Sequence, residues 1–275
     1  MKILRVAAVS MRSEPGRVEG NLERMDAFAA QAASAGAHAV LFPELSVTGY
    51  VLKAPETAYD GLSFESVRER VLGMAADHGL LVMAGLVEPS GGGRPYIAQL
   101  AAGPEGTVGV YRKTHLAPPE KQGFRPGGRI STFPWRTARF GIQLCYESHF
   151  PEISTLMALE GADVLFMPHA SPRGTPEEKL ESWLRHLTGR AFDNAVFIVA
   201  CNPIGTSPAG FPFPGVTLFL GPDGRVLDQG LGAEEHVLAA DLDLSLLEEI
   251  RGHRMRYFLP HRRPDLYGPV TEPEP

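Results

Sequence analysis

The sequence predicts an α/β protein built on mixed sheets, and three observations carry that expectation. Apolar runs of strand length alternate with longer amphipathic stretches of helical spacing. Some strand-like runs are joined by helices, as parallel strands require, and others by short Gly/Pro turns, as antiparallel strands allow. The second half of the chain then repeats the grammar of the first. In order, Ile3 to Val9 reads as a strand and Asn21 to Ala35 as an alanine-rich helix. Ala39 to Phe42 is a second buried strand, stopped by Pro43. Phe64 to His78 is helical, and Leu80 to Val87 is a strand ended by Pro89 and the run Gly91 to Gly93. Tyr96 to Ala101 and Val108 to Tyr111 flank GPEG, a hairpin-like turn. Beyond it, Arg139 to Cys145 reads as a strand, Glu152 to Glu160 as a helix capped by Gly161, and Val164 to Met167 as a strand. A longer helix runs from Glu177 to about Asn194, Val196 to Cys201 is a strand, and two more strands flank the turn GPDG at Gly221 to Gly224. No shift of composition marks a linker, so residues 1–270 read as one domain, with the TEPEP tail at 271–275 disordered.

Composition narrows the class. A chain of 275 residues with 44% hydrophobic and 21% charged residues is long enough to build its own core without covalent staples. Two cysteines, Cys145 and Cys201, make no disulfide framework and suggest a reducing compartment. A formal net charge of −6 argues against a nucleic-acid partner. Basic residues do gather near the C-terminus, from Arg251 through His253, Arg254 and Arg256 to Arg262 and Arg263, but aromatic and proline residues interrupt them. They read as a solvated or subunit-facing arm. No apolar run approaches the ~20 residues of a membrane span, and the N-terminus reads as a first strand, not a secretory signal. A cytoplasmic protein with no membrane partner is the expectation.

Three segments set a reactive side chain just past an apolar strand, where α/β proteins usually build their sites. They are LFPELSVTGY with Glu44, YRKTHLAPPEKQGFRPGG with Lys113 and Glu120, and FGIQLCYESHFPE with Cys145. Each residue alone admits a plain reading. Glu44 could favour a helix dipole, Lys113 could be solvated, and Cys145 could be a small core residue.

Together, however, these segments resemble the glutamate, lysine and cysteine motifs of the nitrilase superfamily, in that family's order and with its usual separations. Similarity extends to GRAFDN at Gly189 to Asn194, to Asn202, to GPDGRVL and to RRPDLY, so it spans about Val6 to Tyr267. The resemblance implies a four-layer α-β-β-α sandwich of two mixed β-sheets, and a hydrolase acting on carbon–nitrogen bonds other than peptide bonds. It assigns Cys145 as nucleophile and Glu44 as the base that first takes the thiol proton and later activates water. Lys113 and the backbone N–H of Tyr146 become donors to the developing oxyanion. Glu120 holds Lys113 and orients the substrate nitrogen. The chemistry is coherent, because an unassisted thiol is only slightly ionised at neutral pH and an amide carbon is a poor electrophile.

Other residues near these motifs have plainer readings. His149, four residues after Cys145, invites a Cys–His pair, but the spacing does not aim its ring and the resemblance gives the base role to Glu44. His115 and His169 read as pocket-lining or supporting residues, Glu147 as a brace for the cysteine turn, and Cys201 as a core residue. No histidine pair has metal spacing, and no phosphate loop or dinucleotide fingerprint appears, so neither metal nor cofactor is expected.

For substrate, Tyr146 and Glu147 follow the cysteine where true nitrilases typically carry tryptophan and glutamate, which resembles the amidase and carbamoylase branches. Ser148 and His149 stand where N-carbamoyl-D-amino-acid hydrolases carry arginines, which argues against that branch. Tyr50, Tyr146, His169 and Arg173 are candidate substrate contacts, Arg173 as a receptor for a carboxylate. A small aliphatic amide or ω-amidodicarboxylate is the first expectation. An N-carbamoyl amine or nitrile comes next, and a catalytically idle binding relative is the reading of another class. The resemblance also implies a homodimer or higher homo-oligomer, through the helix at Ile153 to Leu159, the helix bearing Trp183, Leu184 and Leu187, and the arm from Tyr257 to Tyr267.

Overall fold

The structure of the protein, a computed structural model, describes residues 2–272. The chain runs β1 (Ile3–Ser10), α1 (Val18–Ser34), β2 (Ala39–Leu41), α2 (Phe64–His78), β3 (Leu81–Glu88), β4 (Tyr96–Gly103) and β5 (Gly106–Arg112). It continues through β6 (Thr132–Trp135), β7 (Ala138–Ile142), α3 (Pro151–Leu159), β8 (Val164–Pro168), α4 (Pro176–Asn194) and β9 (Phe197–Asn202). It closes with β10 (Gly205–Thr206), β11 (Pro212–Phe213), β12 (Gly215–Leu220), β13 (Val226–Gly232), β14 (His236–Asp243), α5 (Leu244–Gly252) and α6 (Gly268–Thr271).

Two six-stranded mixed sheets form, in the orders β14-β1-β2-β3-β4-β5 and β13-β12-β9-β8-β7-β6. Each has a parallel heart, β1-β2-β3 in one and β7-β8-β9 in the other, flanked by antiparallel strands. The sheets pack face to face, with β1 against β9 and β12. Helices α1 and α2 cover the outer face of the first sheet, and α3 and α4 that of the second. This is the expected four-layer α-β-β-α sandwich. Strands buried on both faces explain why β3 and β9 are apolar without alternation. Polar stitches join the sheets: Ser10 Oγ donates to the Asn202 carbonyl at 2.7 Å, and Cys201 Sγ lies 3.8 Å from the Leu41 carbonyl.

Several expectations shift by a few residues. The first helix starts at Val18, three residues early, with Asn21 inside its first turn and not at its start. The Asn21 amide accepts from Glu14 N (2.9 Å) and donates to the carbonyls of Glu14 (2.8 Å) and Val47 (3.0 Å). The GPEG hairpin forms, with Gly103 opposite Gly106. Cys145 does not lie on a strand: β7 ends at Ile142, and Cys145–His149 forms a tight 3-10 turn. Trp183 and Leu187, expected on an outer subunit-facing surface, are instead buried within the chain. They point from α4 toward the second sheet and its cavity. The expectation for the TEPEP tail falls outside the described residues at 273–275, and Thr271 closes α6. Among the described residues no helix is long and apolar enough to cross a membrane.

Strand direction gathers the loops that matter. β5 runs the same way as β3, since two antiparallel pairings separate them. The loops after β2, β5, β7 and β8 therefore carry Glu44, Lys113, Cys145 and His169 together at the carboxyl ends of strands. One close approach fixes the first of these loops. A Cβ on Gly85 of β3 would collide with the backbone at Pro43 and Leu45, the residues on either side of Glu44. Glycine there lets the Glu44 loop lie flat on β3, with Val47 N donating to the Gly85 carbonyl at 2.8 Å and Gly85 N to Ser46 Oγ at 3.0 Å.

Candidate active site

Glu44 is pinned before its carboxylate is considered. Its backbone N–H donates to the His169 carbonyl (3.2 Å), and Gln99 Nε2 donates to the Phe42 carbonyl (3.1 Å). Lys113 follows β5 directly, its N–H still paired with Ile97 on β4 at 2.9 Å. Glu120 ends the short 3-10 turn Pro118–Glu120 and accepts from Ala117 N through Oε2 at 2.8 Å. These three side chains meet in the interior. Lys113 Nζ donates to Glu44 Oε1 at 2.7 Å and to Glu120 Oε1 at 2.8 Å, and the lysine side chain has no exposed surface.

Burial works against the Lys113 ammonium, but the carboxylates of Glu44 and Glu120 outweigh it and hold the group charged, its pKa well above the ordinary value. Burial pushes Glu44 up to about 7, a rise that Lys113 opposes and Glu120 supports. The second oxygen of Glu44, Oε2, is buried without a protein hydrogen-bond partner. Cys145 faces the same cluster. Burial pushes its thiol up to about 12, helped by the negative charge of Glu44 and opposed by Lys113 and by the Ala170 backbone N–H. The resting sulfur is therefore a thiol.

Cys145 has φ +43°, in the left-handed region that residues with a Cβ seldom adopt. Glu147 is what holds the turn there. Its Oε2 accepts from Leu144 N at 2.7 Å, just before the cysteine. Its Oε1 accepts from Thr114 N (2.7 Å), Thr114 Oγ1 (2.6 Å), Tyr111 OH (2.9 Å) and His115 N (3.3 Å). The two residues after Lys113 are thus tied through one buried carboxylate to the turn that carries the sulfur.

A cavity of about 820 Å³ opens in front of Cys145. Glu120, Tyr50, Tyr146, His169 and Arg173 all line it, so the structure brings every predicted site residue to this cavity or, for Glu44 and Lys113, to the cluster behind it. His169 packs on Trp183 with ring centroids 4.2 Å apart and pairs through Nδ1 with the Met167 carbonyl at 2.8 Å. Burial holds its pKa well below the ordinary value, so it is neutral. His149 stacks on His186 at 4.6 Å, and burial lowers both pKa values, that of His186 to about 4. His115 lies on Phe150 beside a different cavity and serves the Glu147 network. Among the described residues no group of three or more His, Cys, Asp or Glu is arranged to hold a metal ion.

Sequence reasoning missed one wall of this cavity. Lys179, Ser182, Trp183 and His186 of α4 line it at helical spacing. Lys179 Nζ donates to Ser171 Oγ (2.8 Å) and the Pro172 carbonyl (3.3 Å), and among the described residues no carboxylate pairs with it. Burial lowers its pKa. The guanidinium of Arg173 rests 4.1 Å over the Phe211 ring on the same cavity. The available signal was the row at 179, 182 and 186 beside the apolar row of Leu180, Trp183 and Leu187, but a helical lysine reads by default as solvated.

The sandwich, with a carboxylate, an ammonium and a thiol at its strand ends, defines a cysteine hydrolase. The chain belongs to the carbon–nitrogen hydrolase family, whose pattern matches residues 5–252. It is 30% identical to a nitrilase of Pyrococcus abyssi over 96% of this chain and 99% of that one. It is also 30% identical to an (R)-stereoselective amidase of Pseudomonas sp., over 98% and 95% of the two chains. Among solved structures it is similar to an amidase from Nesterenkonia sp., with a TM-score of 0.83 and 27% identity over 97% of this chain and 96% of that one. Mutants of that amidase have been solved in complex with butyramide, and with covalent addition of the acetamide moiety of fluoroacetamide at the active site cysteine. The protein is therefore a hydrolase of carbon–nitrogen bonds other than peptide bonds.

The Glu147 network makes a stability prediction. Glu147→Ala strands several buried donors, each costing roughly 1–3 kcal/mol, so the free energy of unfolding obtained from urea denaturation should fall by several kcal/mol. A variant within about 0.5 kcal/mol of wild type would show that Glu147 does not brace the turn.

Proposed function

We propose that the protein hydrolyses a small amide through a thioester on Cys145, with residues 1–270 acting as one catalytic domain. The observation that carries this reading is the buried Lys113 ammonium, 2.7 Å from Glu44 and 2.8 Å from Glu120, beside a thiol that opens on a cavity. A thiol near 12 does not surrender its proton in advance to a carboxylate near 7, so proton transfer accompanies attack. Glu44 takes the thiol proton as sulfur bonds to the amide carbon. Lys113 and the Tyr146 N–H donate to the oxygen that becomes negative. Glu120 keeps the ammonium aimed and orients the departing nitrogen. Ammonia leaves with the proton from Glu44, the thioester remains, and Glu44 next takes a proton from water as that water attacks. Tyr50, Tyr146, His169 and Arg173 contact the substrate.

The base must be ionised to act, and its folded pKa is raised to about 7. Activity is therefore present above that value and lost as pH falls through it. Cys145→Ala should abolish ammonia release, Glu44→Gln should lower kcat by about 100-fold or more, and kcat/KM should fall about tenfold per pH unit below neutrality. Undiminished turnover by Cys145→Ala, or a flat profile on the acid side, would refute the assignment. A panel of amides, ureido compounds and nitriles reads the leaving group directly.

Within the amides, an ω-amidodicarboxylate is favoured by Lys179, a half-buried ammonium held only by neutral oxygens, and by Arg173 on the same cavity. An anion on the acyl chain would supply the missing partner. Lys179→Met should raise KM for the monoamide of a four-carbon dicarboxylic acid by about tenfold or more, and leave kcat/KM for butyramide near wild type. Equal effects on both substrates would rule the contact out.

With both cysteines free, the setting is read as cytoplasmic. The assembly is read as a homodimer built on α3, where Leu156 and Leu159 are 47% and 48% exposed. Sedimentation equilibrium should give a dimer for the wild type and a monomer for the double substitution Leu156→Asp, Leu159→Asp. A wild-type monomer would overturn this assembly.

A further inference from the structure

We infer that Ser148 is a positioning residue for the amide reaction, its hydroxyl fixing the direction of the Tyr146 N–H that receives the oxyanion. This rests on the thioester reading above and adds a residue to it. Ser148 Oγ donates to the Cys145 carbonyl at 2.7 Å. That carbonyl and the Tyr146 N–H belong to one peptide unit, the one that follows the nucleophile. A trans peptide is planar, so its C=O and N–H point in opposite directions. Whatever holds the carbonyl therefore aims the N–H, and here the side chain of Ser148 holds it.

This peptide needs a firm hold. It follows a residue at φ +43°, where a side chain with a Cβ is strained, and its N–H must meet a charge that exists only during reaction. In a 3-10 turn a carbonyl accepts from the N–H three residues on, with poorer geometry than in an α-helix. Ser148, three residues after Cys145, brings its hydroxyl to the same carbonyl as a second donor. Hydrogen bonds in series polarise one another, so a carbonyl that accepts strongly makes the N–H of its own peptide a better donor. Glu147 acts one peptide earlier, on Leu144 N. The duties are separate: Glu147 places the turn that bears the sulfur, and Ser148 orients the peptide that leaves it.

Ser148 is itself confined. It is buried in the wall of the large cavity, and its Oγ lies 3.1 Å from His186 Nε2 on α4. His186 Nδ1 lies 3.0 Å from the Ser182 carbonyl, which can only accept, so in the neutral ring Nδ1 carries the proton and Nε2 is bare. The Ser148 hydroxyl thus has one proton and two acceptors, and the shorter contact, to Cys145, takes it. His186 still walls in the side chain, its own ring stacked on His149 at 4.6 Å. Arg190 of the same helix steadies the backbone, donating from Nε to the Ser148 carbonyl at 3.3 Å and from Nη2 to the His149 carbonyl at 3.4 Å. Helix α4 therefore supports the oxyanion peptide as well as lining the cavity.

The test compares Ser148→Ala, which deletes the hydroxyl, with Ser148→Thr, which keeps it, both in the full chain. Each is assayed with butyramide, or the panel amide that turns over fastest, and with the matching aldehyde (butyraldehyde for butyramide) as inhibitor. Sulfur bonds to the aldehyde carbon, the thiol proton passes to Glu44, and the former carbonyl oxygen becomes negative where the oxyanion forms. Ser148→Ala should lower kcat about tenfold, leave KM within about twofold, and raise the aldehyde's inhibition constant about tenfold. Ser148→Thr should recover most of both losses. An unchanged kcat in folded Ser148→Ala would overturn the role. So would a fall in kcat that leaves the aldehyde's inhibition constant unmoved, because the loss would then lie outside the oxyanion peptide. A wild-type enzyme that resists the aldehyde and shows no acyl adduct by intact mass is a different result, which removes the thioester reading and this role with it.

Discussion

The structure depends on one buried ammonium. Lys113 Nζ sits in the interior with no exposed side-chain surface, and only its two carboxylate partners make that tolerable. Each partner comes from a different loop, so the three loops are bound to meet: Glu44 after β2, Lys113 after β5 and Glu120 seven residues further on. Removing either acid would leave an under-compensated charge, which is a stronger constraint on the chain than any of the apolar contacts nearby. The same cluster sets the electrostatics of the sulfur. Burial first, and the negative charge of Glu44 after it, keep the thiol protonated at rest. The arrangement favours proton transfer during attack over a standing thiolate, and it shields the sulfur from chemistry unrelated to the substrate.

A third buried acid, Glu147, does the mechanical work. Glu147 fastens the residues after Lys113 to the residue before Cys145, and so converts two separate strand ends into one rigid unit. A left-handed φ at Cys145 is unfavourable locally, and the network around Glu147 is what over-determines it. Charge and mechanics are therefore divided among three acids: Glu120 and Glu44 hold the ammonium, while Glu147 holds the turn.

Local structure was legible in the sequence where local chemistry decides it. The helix Phe64–His78 is bounded as its pattern predicts, with Ser63 capping one end and Gly79 in the left-handed region closing the other. The GPEG hairpin follows from its own residues. Distant pairings were less accessible. Strand β14 pairs with β1 across most of the chain, and its acids at Asp241 and Asp243 obscure an otherwise apolar run. The convergence of Glu44 and Lys113, 69 residues apart, could be anticipated only through the motif resemblance, because no local periodicity encodes it. The turn at Cys145 reads as strand in the sequence because an apolar run continues to Leu144. The chain turns there around the Glu147 carboxylate, which accepts from Leu144 N three residues back and from Thr114 on another loop, with no Gly or Pro to mark the stop. The place of Lys179 is hidden for a related reason. Spacing gives its face of α4, but only tertiary packing decides that this face borders a cavity and not solvent.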